Sequence, residues 1–177
     1  MTIEISTVAP GFNLADTHGE EWGPVGGTAT VIVFTCNHCP YALAWHERLL
    51  TVATDYAGRG VRMLMICSND ADRYPRDSPE AMAARVAAEG PWPAPYLHDP
   101  TQDVARSFGA TVTPEVFLLD ADGKLRYRGA PDADHGDETL DALWLRDALE
   151  TVLAGDPPVA AVTQPVGCSI KWREEET

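Results

Sequence analysis

The chain has 177 residues, 45% of them hydrophobic, which is enough to bury one core and too few for several domains. A formal net charge of −14, from 13 Lys and Arg against 27 Asp and Glu, repels a phosphate backbone and sets nucleic acid aside as a partner. No apolar run is long enough to cross a bilayer, and MTIEISTVAP lacks the basic and apolar regions of a signal peptide, so a cytoplasmic protein with no membrane partner is expected.

In chain order, Phe12–Leu14 and Glu20–Trp22 pair as a small hairpin. Residues 29–35 are β-branched or aromatic at most positions and polar on neither face, which predicts a strand buried on both sides. From Cys39 to about Gly58 the pattern turns helical. Trp45, Leu49, Val52 and Tyr56 make one apolar stripe, and Gly58 or Gly60 ends it. Val61–Cys67 is the next strand. A helix over Ser78–Glu89 follows, with Ser78 as N-cap and Pro79 at the first helical position.

A strand at Pro95–His98 and a short helix at Thr101–Phe108, ended by Gly109, lead to a hairpin of Glu115–Leu119 and Lys124–Gly129 around the Asp120–Gly123 turn. The last helix is expected from about Glu138 to Ala154, with Asp137 as its cap and Ala142, Leu145, Leu149 and Val152 buried. Residues 156–177 carry three prolines and no helical pattern. The expected organisation is one α/β domain over residues 1–155, its sheet covered on both faces, with residues 156–177 as an extension packed on it.

Chemistry concentrates at Cys36-Asn37-His38-Cys39, where the buried strand gives way to the helix. Unpaired amides and the positive end of the helix dipole favour a thiolate there, so Cys36 is expected to have a lowered pKa and to act as nucleophile. Cys39 lies one turn on, within reach of a small disulfide ring, and suits a resolving thiol. A protonated His38 beside Cys36 stabilises the thiolate and raises the reduction potential; otherwise it is an exposed loop residue. Pro114, after Thr113 and before a strand, stands where a cis bond would be purposeful, or is an ordinary trans proline.

No metal is expected, because CxxC supplies two of the four ligands that zinc needs and Cys67 and Cys168 are single in sequence. Cys67 reads as a small core residue, and Cys168 either as part of a strap or as a candidate third redox thiol. His46 and the acidic loop Pro131–Glu138 read as solvated. Trp22, Trp45 and Trp92 are candidates for an apolar rim beside the dithiol.

Strand, CxxC, helix, strand, then Thr113-Pro114 before a hairpin and a final helix resembles the thioredoxin fold over about residues 28–155. DPTQDVARSFGA followed by VFLLDADGKLRYRG is similar to peroxiredoxin-like (AhpC/TSA, TlpA-like) sequences, as are CNHCPY and the late VGCSIKW. The resemblance implies a three-layer α/β/α sandwich with an N-terminal hairpin and a peroxiredoxin-type insertion between Cys67 and Asp99. It also implies a redox-active disulfide of Cys36 and Cys39, a cis Pro114 with Thr113 at a substrate groove, and no cofactor. Partners would be a protein or small-molecule disulfide and a thiol reductant such as thioredoxin or glutathione.

Two departures stand out. Thioredoxins carry a buried aspartate six residues before the first cysteine, where this chain has Thr30, leaving the proton acceptor unassigned. Peroxiredoxins carry a threonine three residues before theirs, where this chain has Val33, and an arginine ahead of the later strand, replaced here by Pro114. Thiol–disulfide exchange with an antioxidant role is therefore expected ahead of peroxidase activity, with a non-catalytic redox-sensing module as the third alternative.

Overall fold

The computed structural model describes residues 2–174, so residues 175–177 of the expected extension lie outside the described residues, as does Met1. A short antiparallel hairpin, β1 (Leu14–Ala15) and β2 (Glu21–Trp22), precedes the central sheet. That sheet contains β3 (Ala29–Phe34), β4 (Val61–Cys67), β5 (Tyr96–His98), β7 (Glu115–Asp120) and β8 (Leu125–Gly129), in the order β5-β4-β3-β7-β8. β3, β4 and β5 run parallel, while β7 runs antiparallel to β3 and β8. Outside it, β6 (Val112–Thr113) pairs antiparallel with β9 (Cys168–Ser169).

All six residues of β3 are buried because each face of the sheet carries its own core. Ala29, Val31 and Val33 face α1 (Pro40–Ala57), α2 (Pro79–Glu89) and α4 (Leu143–Leu153). Ile32 and Phe34, one step out of phase, face α3 (Asp103–Phe108), the N-terminal segment and Ile170. On that second face Phe34, Phe108 and Phe117 meet with centroids 5.4–5.8 Å apart in tilted or edge-on geometry. The result is the three-layer thioredoxin-like sandwich that the order of elements implies. Among the described residues, no helix is long and apolar enough to cross a membrane.

Local chemistry explains most boundaries. Pro40 opens α1 at a position where no N–H partner is lost, and Trp45, Leu49, Val52 and Tyr56 bury as one stripe. Ser78 Oγ accepts from the Ala81 amide 3.2 Å away at the start of α2. The last helix departs from expectation: it begins at Leu143, not Glu138. Asp137 turns its carboxylate onto the Thr139 amide at 2.9 Å, closing a local turn, and Ala142 adopts a left-handed φ of 63° ahead of the helix.

His46 also departs from expectation. It is 4% exposed, Nε2 lies 3.2 Å from Glu89 Oε2, and its ring packs on Trp92 at 4.5 Å. The Pro131–Glu138 loop is only partly solvated, since Asp132 is buried and accepts from Trp45 Nε1 at 2.7 Å and from the Ala142 amide at 2.9 Å.

Candidate active site

Cys36 follows the end of β3, and Cys39 is the residue from which α1 departs. Both sulfurs turn inward, and Cys36 and Cys39 are 1% and 0% exposed. Facing them is the Thr113–Pro114 peptide, which is cis. Thr113 Oγ1 lies 3.5 Å from Cys36 Sγ, and the Thr113 carbonyl accepts from the Cys39 thiol at 3.1 Å. The loop carrying that peptide is fixed by Glu115, fully buried, whose carboxylate accepts from the Thr111 amide at 2.8 Å and pairs with Arg128 at 2.9 Å.

Both thiols lie against Thr113 and titrate together. The influence of Cys39, then burial, then the Asp77 charge push Cys36 up; Thr113 and the His38 amide act the other way. Cys36 in turn lowers Cys39, with burial opposing it and Cys168 and the Ala42 amide adding to the lowering. Pro40 holds the first helical position and Cys39 is the cap, so the free amides of the helix end begin beyond Cys39. One proton of the pair leaves before the other.

Asp77 is a component that the sequence did not single out. The 3₁₀ turn Pro75–Asp77, in the segment between β4 and α2, buries its carboxylate completely. Oδ1 accepts from the Asn37 amide at 2.7 Å, and Oδ2 accepts from Asn69 Nδ2 at 2.8 Å and lies 2.7 Å from His38 Nδ1. The Cys36 sulfur, His38 and Asp77 place one ligand-type atom each within 4.8 Å of one another. They are the three described residues near enough to share an ion, and His38 Nδ1, close to Asp77, makes no hydrogen bond. His38 is partly exposed and stacks on Tyr74, with centroids 5.9 Å apart and planes 8° from parallel. No local pattern in the sequence announces Asp77; only the fold brings it under the CxxC loop.

Asn37 fixes the middle of the motif. Its Oδ1 accepts from Tyr96 at 2.9 Å and Arg85 at 3.2 Å, and its Nδ2 donates to the Arg76 carbonyl at 2.8 Å. Thr30 is remote from this chemistry, its hydroxyl spent on the Gly26 carbonyl at 3.0 Å. The expected tryptophan rim is not assembled here. Trp45 is a core residue bonded to Asp132, and Trp22 and Trp92 line a separate cavity of about 520 Å³ beside Tyr96 and Pro91. Cys67 is fully buried and its thiol is pushed up to about 12 by burial, as befits a packed, inert sulfur. Cys168 is single in sequence but not in space, because it pairs opposite Thr113 and packs against the core that holds Cys36 and Cys39.

With this geometry in place, the comparisons with known proteins decide the family. The AhpC/TSA family model matches residues 5–128. The chain belongs to the AhpC/TSA family. No match is found among curated proteins. This AhpC/TSA chain is similar to an uncharacterized conserved protein from Geobacillus kaustophilus, with 36% identity and a TM-score of 0.90, covering 98% of this chain and 94% of that one. A hypothetical protein from Sinorhizobium meliloti matches at 34% identity and a TM-score of 0.91, covering 99% and 98% of the two chains. The exposed lipoprotein thioredoxin of Streptococcus pneumoniae matches at 19% identity and a TM-score of 0.62, over 81% of this chain and 98% of that one, which establishes the thioredoxin fold. Family and fold are those of thiol-based redox proteins.

Proposed function

We propose that the protein is a thiol–disulfide oxidoreductase in which Cys36 attacks a disulfide and Cys39 resolves the product. The observation that carries this reading is the contact of both sulfurs with Thr113, the residue before the cis proline. Cys39 donates its proton to the Thr113 carbonyl and stays a thiol, so Cys36 is the sulfur that ionises and attacks.

Cys36 then attacks one sulfur of the substrate disulfide, that bond breaks, and half of the substrate leaves as a thiol. Cys39 gives up its proton and attacks the Cys36 sulfur, releasing the second half and closing the Cys36–Cys39 disulfide. A protonated His38, held 2.7 Å from the Asp77 carboxylate, favours the Cys36 anion both as attacking and as leaving group. A thiol donor such as thioredoxin or glutathione restores the dithiol, and in a reducing compartment the net direction is reduction.

The test is direct. Cys36→Ser abolishes reduction of insulin disulfides, and Cys39→Ser accumulates a mixed disulfide on Cys36. Equal turnover by Cys36→Ser and the unaltered protein would overturn the assignment.

The family favours a second reading, thiol peroxidase with Cys36 as the peroxidatic sulfur. Against it, Val33 fills the threonine slot and is buried in the core, and Pro114 occupies the arginine slot, so Thr113 is the hydroxyl left beside Cys36 to orient a peroxide. Stopped-flow mixing with hydrogen peroxide separates the two, since exchange chemistry predicts slow loss of the Cys36 thiolate.

A further inference from the structure

The dithiol has a third sulfur beside it. Cys168 arrives on β9, whose register sets Cys168 opposite Thr113, the same residue whose carbonyl accepts from Cys39. All three cysteines therefore meet at Thr113, and Cys168 packs against the core cluster that contains both Cys36 and Cys39. Cys168 is half-buried, whereas Cys36 and Cys39 are closed off from solvent.

Cys168 is held there from both directions. Upstream, the Arg128 amide donates to the Ala161 carbonyl at 2.9 Å, and the Thr163 amide donates to the Arg128 carbonyl at 3.0 Å. Downstream, the Ile170 amide donates to the Thr111 carbonyl at 3.0 Å, and the Lys171 amide donates to Asn69 Oδ1 at 2.8 Å. Asn69 is the same side chain that supports Asp77, so one amide group ties the strap to the floor of the site. Gly167 lies so close to the Thr113–Pro114 peptide that a Cβ would overlap the Thr113 carbonyl. The sulfur is therefore a fixed member of the site and not a passing surface thiol.

We propose that Cys168 is a third redox thiol that takes the disulfide over from Cys36, leaving the oxidised protein with a Cys39–Cys168 bond and a free Cys36. This deepens the exchange reading and rests on it for the origin of the first disulfide. In the step, the Cys168 thiolate attacks the Cys39 sulfur, the Cys36–Cys39 bond breaks, and the Cys39–Cys168 bond forms. Cys36 departs as a thiolate and takes up the proton that Cys168 lost. Two thiolate–disulfide partners exchange places and no electrons leave the protein. The half-exposed Cys168 sulfur then becomes the point at which a reducing thiol attacks, while the substrate side is already reset.

Two measurements test this without relying on turnover. Reduced Cys36→Ser protein, incubated with glutathione disulfide and acid-quenched, should yield a tryptic linkage between Cys39 and Cys168, with two glutathione molecules released. Accumulation of only a glutathione adduct on Cys39, with Cys168 free, overturns the proposal. In the unaltered protein oxidised by one equivalent of glutathione disulfide, acid-quenched and then denatured in excess N-ethylmaleimide near pH 6.5, the reagent should label Cys36 and spare Cys168. Labelling of Cys168 with Cys36 protected overturns it. Failure of insulin reduction by the unaltered protein would instead count against the exchange reading, and leaves both of these outcomes legible.

Discussion

Asp77 carries three partners on one buried carboxylate: the Asn37 amide, the Asn69 side chain and the His38 ring. A buried anion needs such company, because desolvation otherwise drives it neutral. Its neighbourhood sets the sign of a residue-scale prediction. Removal of a cation facing the Cys36 thiolate destabilises the reduced form, so His38→Ala should shift the Cys36–Cys39 potential to more negative values by about 30 mV or more, read by equilibration with glutathione buffers. An unchanged potential would reduce His38 to a loop residue. Cys36, His38, Cys39 and Pro114 were legible because CxxC at a strand–helix junction and a Thr-Pro before a strand are local patterns. Asp77 was not, because its role arises from contact between segments far apart in the chain.

At the scale of elements, β3 and β4 lay open in the sequence as short unbroken apolar runs, α1 through its apolar stripe and α2 through its Ser78-Pro79 start. The start of α4 did not, since the Asp132 carboxylate and the left-handed Ala142 set it through tertiary contact, overriding a stretch with good helix-forming residues. His46 was misplaced because a helix position beside the stripe is solvated unless a second helix covers it, and α2 does so through Glu89. The pairing of β6 with β9 was equally hidden, being only two residues long on each side. Its tightness can be tested at Gly167. Gly167→Ala adds a methyl where the Thr113 carbonyl stands, so the strap must lift, at a cost of about 1–3 kcal/mol in denaturant unfolding. Alkylation of Cys168 in the native protein should quicken at the same time. No change in either would mean that the strap is loosely held.

For the molecule as a whole, the two cores flank one sheet, and buried histidines give its stability an acid edge. His46 is lowered below 6.5 first by burial, then by Arg85, with Glu89 opposing; burial lowers His98 as well. A folded value below the unfolded one means that the unfolded chain binds the proton first. That share of stability is complete above the unfolded value and is lost as pH falls through the folded one. The thermal midpoint should therefore drop as pH falls below the ordinary histidine value of about 6.5, and His46→Leu should make the drop shallower, as followed by circular dichroism. An identical pH profile for the variant would remove His46 from the account.

Ile170, with Trp172 against it, fills the second core from the far end of the chain, and β9 lies just before them. In the order of synthesis all five strands of the central sheet precede these residues, so the sheet exists as chain before the segment that caps its second face is made. The same segment brings β9 against Thr113 beside the dithiol, so one docking event both completes the second core and covers the sulfurs.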